Sequence, residues 1–235
     1  MKIIDLTAPL FEDQTGMVGF GGYRTSPTWP QPFVATETRS YDPDGSRFHV
    51  YTIFCEPGTR FILPSFRKEF RDGPTIEQVP VEKLMMRDAV VIDIPKRDDE
   101  IVQPEELEAA FKKAPVKKGD ALIIRTGWGD DGRHYKIGDL YKENSPHINA
   151  ASANKLMELM EKNSSDLWTY DVESKNGLNK KTFTRGGFTI RAGMIAIGGV
   201  INCGAITKPR VKLIILPLKA KGRHMAPCSI VALEE

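Results

Sequence analysis

The chain has 235 residues, of which 40% are hydrophobic and 27% charged, the composition of a globular protein with a real buried core. A formal net charge of +2, with its basic residues scattered, leaves no electrostatic footprint for nucleic acid or an anionic membrane surface. No apolar run approaches the roughly 18 to 20 residues of a membrane span, and Asp5 interrupts the N-terminal apolar run where a signal peptide would continue, so the expected location is the cytoplasm.

Residues 2 to 6 read as a short strand. Residues 12 to 47 are rich in Gly, Pro, Asp and Ser and show little periodicity, the mark of a functional loop or of an arm that packs on something else. Arg47 to Phe54 alternates β-branched and aromatic residues and predicts a strand, ended by Pro57-Gly58-Thr59. Ala89 to Ile94 and Ala121 to Thr126 are short apolar runs of the kind found in buried strands. Between them, Pro104 to Lys113 predicts a helix, with proline in its first turn and Glu105 and Glu106 near its positive end. Asn149 to Lys162 predicts a second helix, because Ala153, Leu156, Met157 and Met160 recur at three and four spacing. Leu167 to Val172, Met194 to Ile197, Leu213 to Leu216 and Ser229 to Leu233 are further strands. Many strands and few helices predict an α/β or α+β fold with a mixed sheet. Cys55, Cys203 and Cys228 form no Cys-x-x-Cys pair and are expected as small core residues, not as a zinc site.

Several segments, in order, resemble the cyclase family of metal-dependent amide and ester hydrolases, which includes bacterial kynurenine formamidase. They are Ile4-Asp5-Leu6-Thr7, Pro64-Ser65-Phe66, Ile76 to Leu84, Arg125-Thr126-Gly127-Trp128-Gly129, Ser145-Pro146-His147-Ile148, Tyr170-Asp171-Val172-Glu173-Ser174, Leu216-Pro217-Leu218-Lys219 and Ala226 to Ala232. The resemblance implies an α/β fold with a swivelling, barrel-like mixed β core and few flanking helices, formed by one domain spanning 1–235. It also implies a homodimer or homotetramer, with 12–47 as an arm exchanged between copies. Phe20, Tyr23, Trp29 and Phe33 of that arm would then be walls of a ligand pocket; the alternative is a surface loop packed by its own aromatics.

The family signature His-x-Gly-Thr-His-x-Asp-x-Pro-x-His falls here on Glu56-Pro57-Gly58-Thr59-Arg60-Phe61-Ile62-Leu63-Pro64-Ser65-Phe66. Gly58, Thr59 and Pro64 keep the frame, while the four metal-holding positions are Glu56, Arg60, Ile62 and Phe66. Arginine stays protonated and has no lone pair for a metal, and isoleucine and phenylalanine have no donor atoms. Glu56 alone falls short of the three or so protein ligands of a catalytic zinc, so no metal and no other cofactor is expected. The family's later His and Glu fall near Phe188 and Gly198. In place of the metal, Arg60 pairs with Glu56 in the emptied position, or binds a ligand anion bidentately, or both lie loose on the surface; Ile62 and Phe66 would fill the vacated volume. Glu173 and Asp171 are candidates for acid–base work if they face that pocket, and for a solvated turn if they do not.

Three functions fit these residues. One is a metal-independent hydrolase or lyase acting on a small cyclic or aromatic amide, lactone or carboxylate, with Glu56, Arg60 and Glu173 catalytic. Another is a non-catalytic pseudoenzyme that binds a small anionic or aromatic ligand. The last is a structural partner of a metal-bearing relative.

Overall fold

The computed structural model describes residues 1–10, 33–53, 58–128, 130, 146–171 and 193–235, with only the backbone described at Phe33 and Pro43. The strands are β1 (Lys2–Asp5), β2 (Phe33–Arg39), β3 (Phe48–Ile53), β4 (Arg60–Ile62), β5 (Arg87–Asp93), β6 (Ile101–Val102), β7 (Ala121–Arg125), β8 (His147–Ile148), β9 (Leu167–Tyr170), β10 (Ile195–Gly198), β11 (Arg210–Pro217) and β12 (Met225–Glu234). Two helices exceed a single turn, α2 (Pro104–Lys113) and α3 (Ala150–Lys162); α1 (Tyr41–Asp44) is one turn interrupted by an extended Asp42.

Eight strands run β1-β12-β11-β5-β7-β9-β10-β4, and β4 pairs again with β12, which closes the sheet. The long β12 makes closure possible. Its residues 228–233 pair with β11, while the other edge is shared between β4, at Met225 to Pro227, and β1, at Val231 to Glu234. The pairs β5–β7, β7–β9 and β9–β10 are parallel and the rest of the ring is antiparallel. The expected barrel-like mixed core with few helices is therefore present.

Alternation along the strands separates two cores. Phe61, Val91, Ile123, Leu167, Ile197 and Leu213 belong to an inner cluster drawn from the strands around the ring. Their neighbours Ile62, Ile92, Leu122, Trp168 and Ala196 face the other way, into a second cluster with Leu107 and Phe111 of α2 and Leu156 and Met160 of α3. This period-two inheritance fixes which face each strand residue can reach. Arg60 shares the helix-side face with Ile62, as Tyr170 does with Trp168.

The helices start where the sequence places them. Gln103 and Glu106 form a reciprocal capping box ahead of Pro104, and the Asn149 side chain accepts from the Ser152 amide at 2.9 Å. The strands differ more. β11 and β12 are longer than the apolar runs that announce them: β11 begins with Arg210 and Lys212 alternating with buried Val211 and Leu213, and β12 begins at Met225, ahead of the exposed Ser229. β4, three residues long, carries no pattern a window can detect. The 12–47 segment is not loop throughout: residues 33–39 are β2, which pairs with β3 in a separate hairpin. The outer residues Phe48, Val50 and Tyr51 of that hairpin are exposed. Cys203 and Cys228 are buried, as expected, and Cys55 lies outside the described residues. No described helix is long and apolar enough to cross a membrane.

Replacing Asn149 by alanine removes the acceptor for the first turn of α3. The expected loss is about 1 kcal/mol, read as a lower midpoint in urea unfolding with the slope unchanged.

Candidate functional site

The carboxyl ends of the parallel strands β5, β7, β9 and β10 lie side by side. Two arrangements occupy this end.

The first is a clasp built on Asp171, which follows β9 and is 0% exposed. Its carboxylate accepts from the Thr126 amide at 3.0 and 2.9 Å, from the Thr126 hydroxyl at 2.8 Å and from the Gly127 amide at 2.9 Å. Gly127 adopts φ +82°, which turns its N–H inward and favours glycine. Arg125 beside it pairs with Asp93 at 2.8 Å and donates to the Ile206 carbonyl at 2.9 Å. The Arg-Thr-Gly run therefore binds the ends of β5, β7 and β9 together. Asp171 is not on a solvated turn; its oxygens are committed to this clasp. Burial pushes its carboxyl up to about 6, against the pull of the Thr126 and Gly127 donors, and the Asp130 carboxylate adds to the push.

The second arrangement surrounds Arg60, at the start of β4. Thr59 fixes it in place: its hydroxyl accepts from the Ala8 amide and donates to the Gly199 carbonyl, each at 2.8 Å. Its carbonyl accepts from the Cys228 amide at 2.9 Å. Gly58 has φ +65°, and a Cβ there would lie 2.9 Å from Leu10 Cδ2. These contacts explain why Gly58 and Thr59 keep the family's frame. Arg60 pairs in register with Gly198 and is 2% exposed. Its Nη1 reaches the Gly58 carbonyl at 3.4 Å. A Cβ on Gly198 would lie 2.7 Å from the Tyr170 hydroxyl oxygen and 3.2 Å from Arg60 Cζ. A Cβ on Gly199 (φ +67°) would lie 2.6 Å from the Gly58 carbonyl oxygen and 3.4 Å from Arg60 Nη1. The guanidinium thus lies against a Gly-Gly pair whose missing side chains make its room, at the position where the resemblance places a glutamate.

Ile62 is fully buried in the helix-side core. Phe66 packs against the same core, and the Arg67 guanidinium stands 5.0 Å from its ring centroid. The described positions of the family's metal signature therefore present a cation and two hydrocarbon side chains, which do not fit a divalent ion. Among the described residues no three of His, Cys, Asp and Glu converge as a metal site.

Of the residues expected at the site, Arg60 and Phe66 are described and both stand beside the helix-side core. Glu56, Glu173, Phe20, Tyr23 and Trp29 lie outside the described residues, as does Phe188, and only the backbone of Phe33, in β2, is described. Sequence reasoning missed Tyr170 and the role of Gly198-Gly199. The available signal was the Trp168-x-Tyr170 alternation, which puts both rings on one face, stacked with centroids 4.6 Å apart.

The closed mixed sheet has counterparts among known proteins. The chain belongs to the cyclase family, whose model it matches over residues 4–171. Isatin hydrolase A from Labrenzia aggregata, bound to benzyl benzoate, is 21% identical with a TM-score of 0.74, over 100% of this chain and 94% of that one. An isatin hydrolase bound to the product analogue thioisatinate is 17% identical with a TM-score of 0.79, over 100% and 93%. A potential metal-dependent hydrolase with cyclase activity is 16% identical with a TM-score of 0.69, over 100% and 99%. At these identities the likeness shows the shared fold. No curated protein sequence matches the chain.

Two outcomes are expected here. Gly198→Ala forces the Tyr170 hydroxyl or the guanidinium to move and costs about 1–3 kcal/mol, read by chemical denaturation; a loss within error would mean the pair is loosely held. The second concerns Asp171. Its folded pKa, about 6, lies above the unfolded 3.8, so the folded state holds the proton more tightly. Its favourable contribution is complete below about pH 4 and is lost as pH rises through about 6. The stability of the native protein relative to Asp171→Asn should therefore fall between these pH values, by on the order of 2–3 kcal/mol. A flat difference would contradict it.

Proposed function

We propose that this cyclase-family protein is a hydrolase-type enzyme that works without the family's metal, on a small cyclic or aromatic amide, lactone or carboxylate. The observation that carries this reading is the buried guanidinium of Arg60 at a metal-ligand position of the signature, in a frame otherwise kept by Gly58, Thr59 and Pro64. A fixed cation at a water-poor site can stabilise the oxyanion that forms when a carbonyl is attacked. It does so without a bound water of lowered pKa, so the base must come from a side chain. Glu56 and Glu173 are the proposed catalytic carboxylates, flanking the described site in sequence, and Phe66 borders the ligand beside Arg60.

Assembly belongs to the same reading. An isolated two-stranded hairpin is marginal in water, and β2–β3 pairs with no other strand among the described residues while exposing Phe48, Val50 and Tyr51. A second copy of the chain covering this hairpin would account for both, with Phe20, Tyr23, Trp29 and Phe33 of the 12–47 arm reaching the neighbour's pocket in a homodimer or homotetramer. The cytoplasm is the proposed location.

A second reading has its own support. Arg60 is so completely enclosed that the same geometry suits a pseudoenzyme that binds a small ligand and does not turn it over.

Turnover of a panel of aryl formamides, cyclic imides and aryl lactones separates the readings. The enzyme reading expects hydrolysis that survives exhaustive EDTA treatment and falls about 100-fold or more in Arg60→Ala, the scale of losing an oxyanion donor. Hydrolysis abolished by EDTA and restored by zinc would overturn metal independence. Ligand-induced thermal stabilisation with no turnover would favour the pseudoenzyme. For assembly, light scattering should show a dimer or larger for the native protein and a shift toward monomer for Tyr51→Glu; a native monomer would refute the exchanged arm.

A further inference from the structure

A cleft of about 240 Å³ lies between the last turn of α2 and the loop that leads into β11, and Arg60 and its neighbours take no part in its lining. The sequence opens this cleft. β5 and β11 pair in register from Arg87 to Val90, and the Val91 amide still donates to the Pro209 carbonyl at 3.0 Å. Proline has no N–H to return that bond. The Thr207 amide, which the register would set opposite Asp93, donates instead to the Glu234 carboxylate. The two strands therefore part after Val91. Pro209, with Ala110, Ala114 and Pro115 at the end of α2, gives the opening apolar walls. Three cationic side chains, Lys113, Lys208 and Arg125, and one carboxylate, Asp93, also line it. Arg125 answers Asp93 at 2.8 Å. The Lys113 and Lys208 ammonium groups have no ion-pair or hydrogen-bond partner among the described residues, and both residues are exposed. Two uncompensated cations thus share one accessible cavity.

We propose that this cleft binds a small organic phosphate, with Lys113 and Lys208 on the phosphate and the apolar walls against the organic part. The donors select phosphate over carboxylate. A planar carboxylate is held best by the fork of a guanidinium, whereas an ammonium acts on a phosphate as a point charge. The guanidinium that lines the cleft already commits Nε to Asp93 and Nη1 to the Ile206 carbonyl, at 2.8 and 2.9 Å. A phosphate monoester carries a charge of about −1.5 to −2 at pH 7, which matches two lysines; a carboxylate would leave one of them unanswered. The volume, about 240 Å³, is smaller than the roughly 300–1,000 Å³ of pockets for drug-sized ligands. It suits a phosphate carried on one small ring or a short chain. The binding depends on nothing at Arg60, so it stands apart from the hydrolase and pseudoenzyme readings.

The test is calorimetric titration of the full chain at low ionic strength, where exposed charges are least screened. The probes are phenyl phosphate, benzoate and inorganic phosphate. The native protein should bind phenyl phosphate at one site per chain, about tenfold or more tighter than either of the others. The double variant Lys113→Ala, Lys208→Ala changes two exposed side chains. It should weaken phenyl phosphate binding about tenfold or more, the scale of losing hydrogen bonds to a charged group, with the melting temperature unchanged. Lys118→Ala, which removes an exposed lysine outside the cleft, should bind as the native protein does. Affinity equal in the double variant and the native protein would overturn the proposal. A similar loss in Lys118→Ala would also overturn it, since diffuse surface charge would then be the cause. So would benzoate or inorganic phosphate binding as tightly as phenyl phosphate, or no binding of phenyl phosphate at about 10 mM, beyond the millimolar end of specific affinities.

Discussion

A guanidinium taken out of water costs several kcal/mol unless its surroundings return that energy. Arg60 is in that position, and much of the described site follows from it. Thr59 locks the backbone on its N-terminal side by bonding to both Ala8 and Gly199. Gly198 and Gly199 leave the volume its head group needs, and the Gly58 carbonyl is turned toward it. Tyr170, held by Trp168, closes the same space from the next strand. A family that places a metal cation here would need donors around it. Here the signature position carries Arg60, and Gly198 and Gly199 leave the room that its head group occupies.

The neighbouring clasp has a different logic. Asp171 is fixed by donors from Thr126 and Gly127 and so ties the end of β9 to the end of β7, while Arg125 ties in β5 through Asp93. Cys203, in the short turn Cys203–Ala205, has its thiol pushed well up by burial and by the Asp171 and Asp130 carboxylates, which disfavours the thiolate form. The strand ends thus carry a rigid anionic clasp on one side and a buried cation on the other. Rigid support of this kind is what a preorganised binding or catalytic site requires.

The elements that could be read from sequence were those whose signal is local. α2 and α3 carry caps and a 3.6-residue period, and β5 and β7 are unbroken apolar runs because helices cover one of their faces and the barrel interior the other. β4 could not be read, because three residues give no period, although it carries Arg60 and closes the barrel. β2 was hidden within a stretch rich in glycine and proline. At the site, that Arg60, Ile62 and Phe66 carry no donor for a metal is legible because it depends on residue chemistry alone. The convergence of Tyr170 and Gly198 on Arg60 was not, since it depends on pairing between strands distant in sequence. Asp171 shows the opposite failure: a charged residue after a strand resembled a solvated turn until the donors facing it were known.

Metal content tests the central claim most directly. The purified protein, incubated with excess zinc or manganese and then desalted, should carry far less than one metal ion per chain by elemental mass spectrometry, because Arg60, Ile62 and Phe66 supply no ligand. About one tightly held ion per chain would mean that a different set of at least three donors assembles here, and that Arg60 has not taken the metal's place.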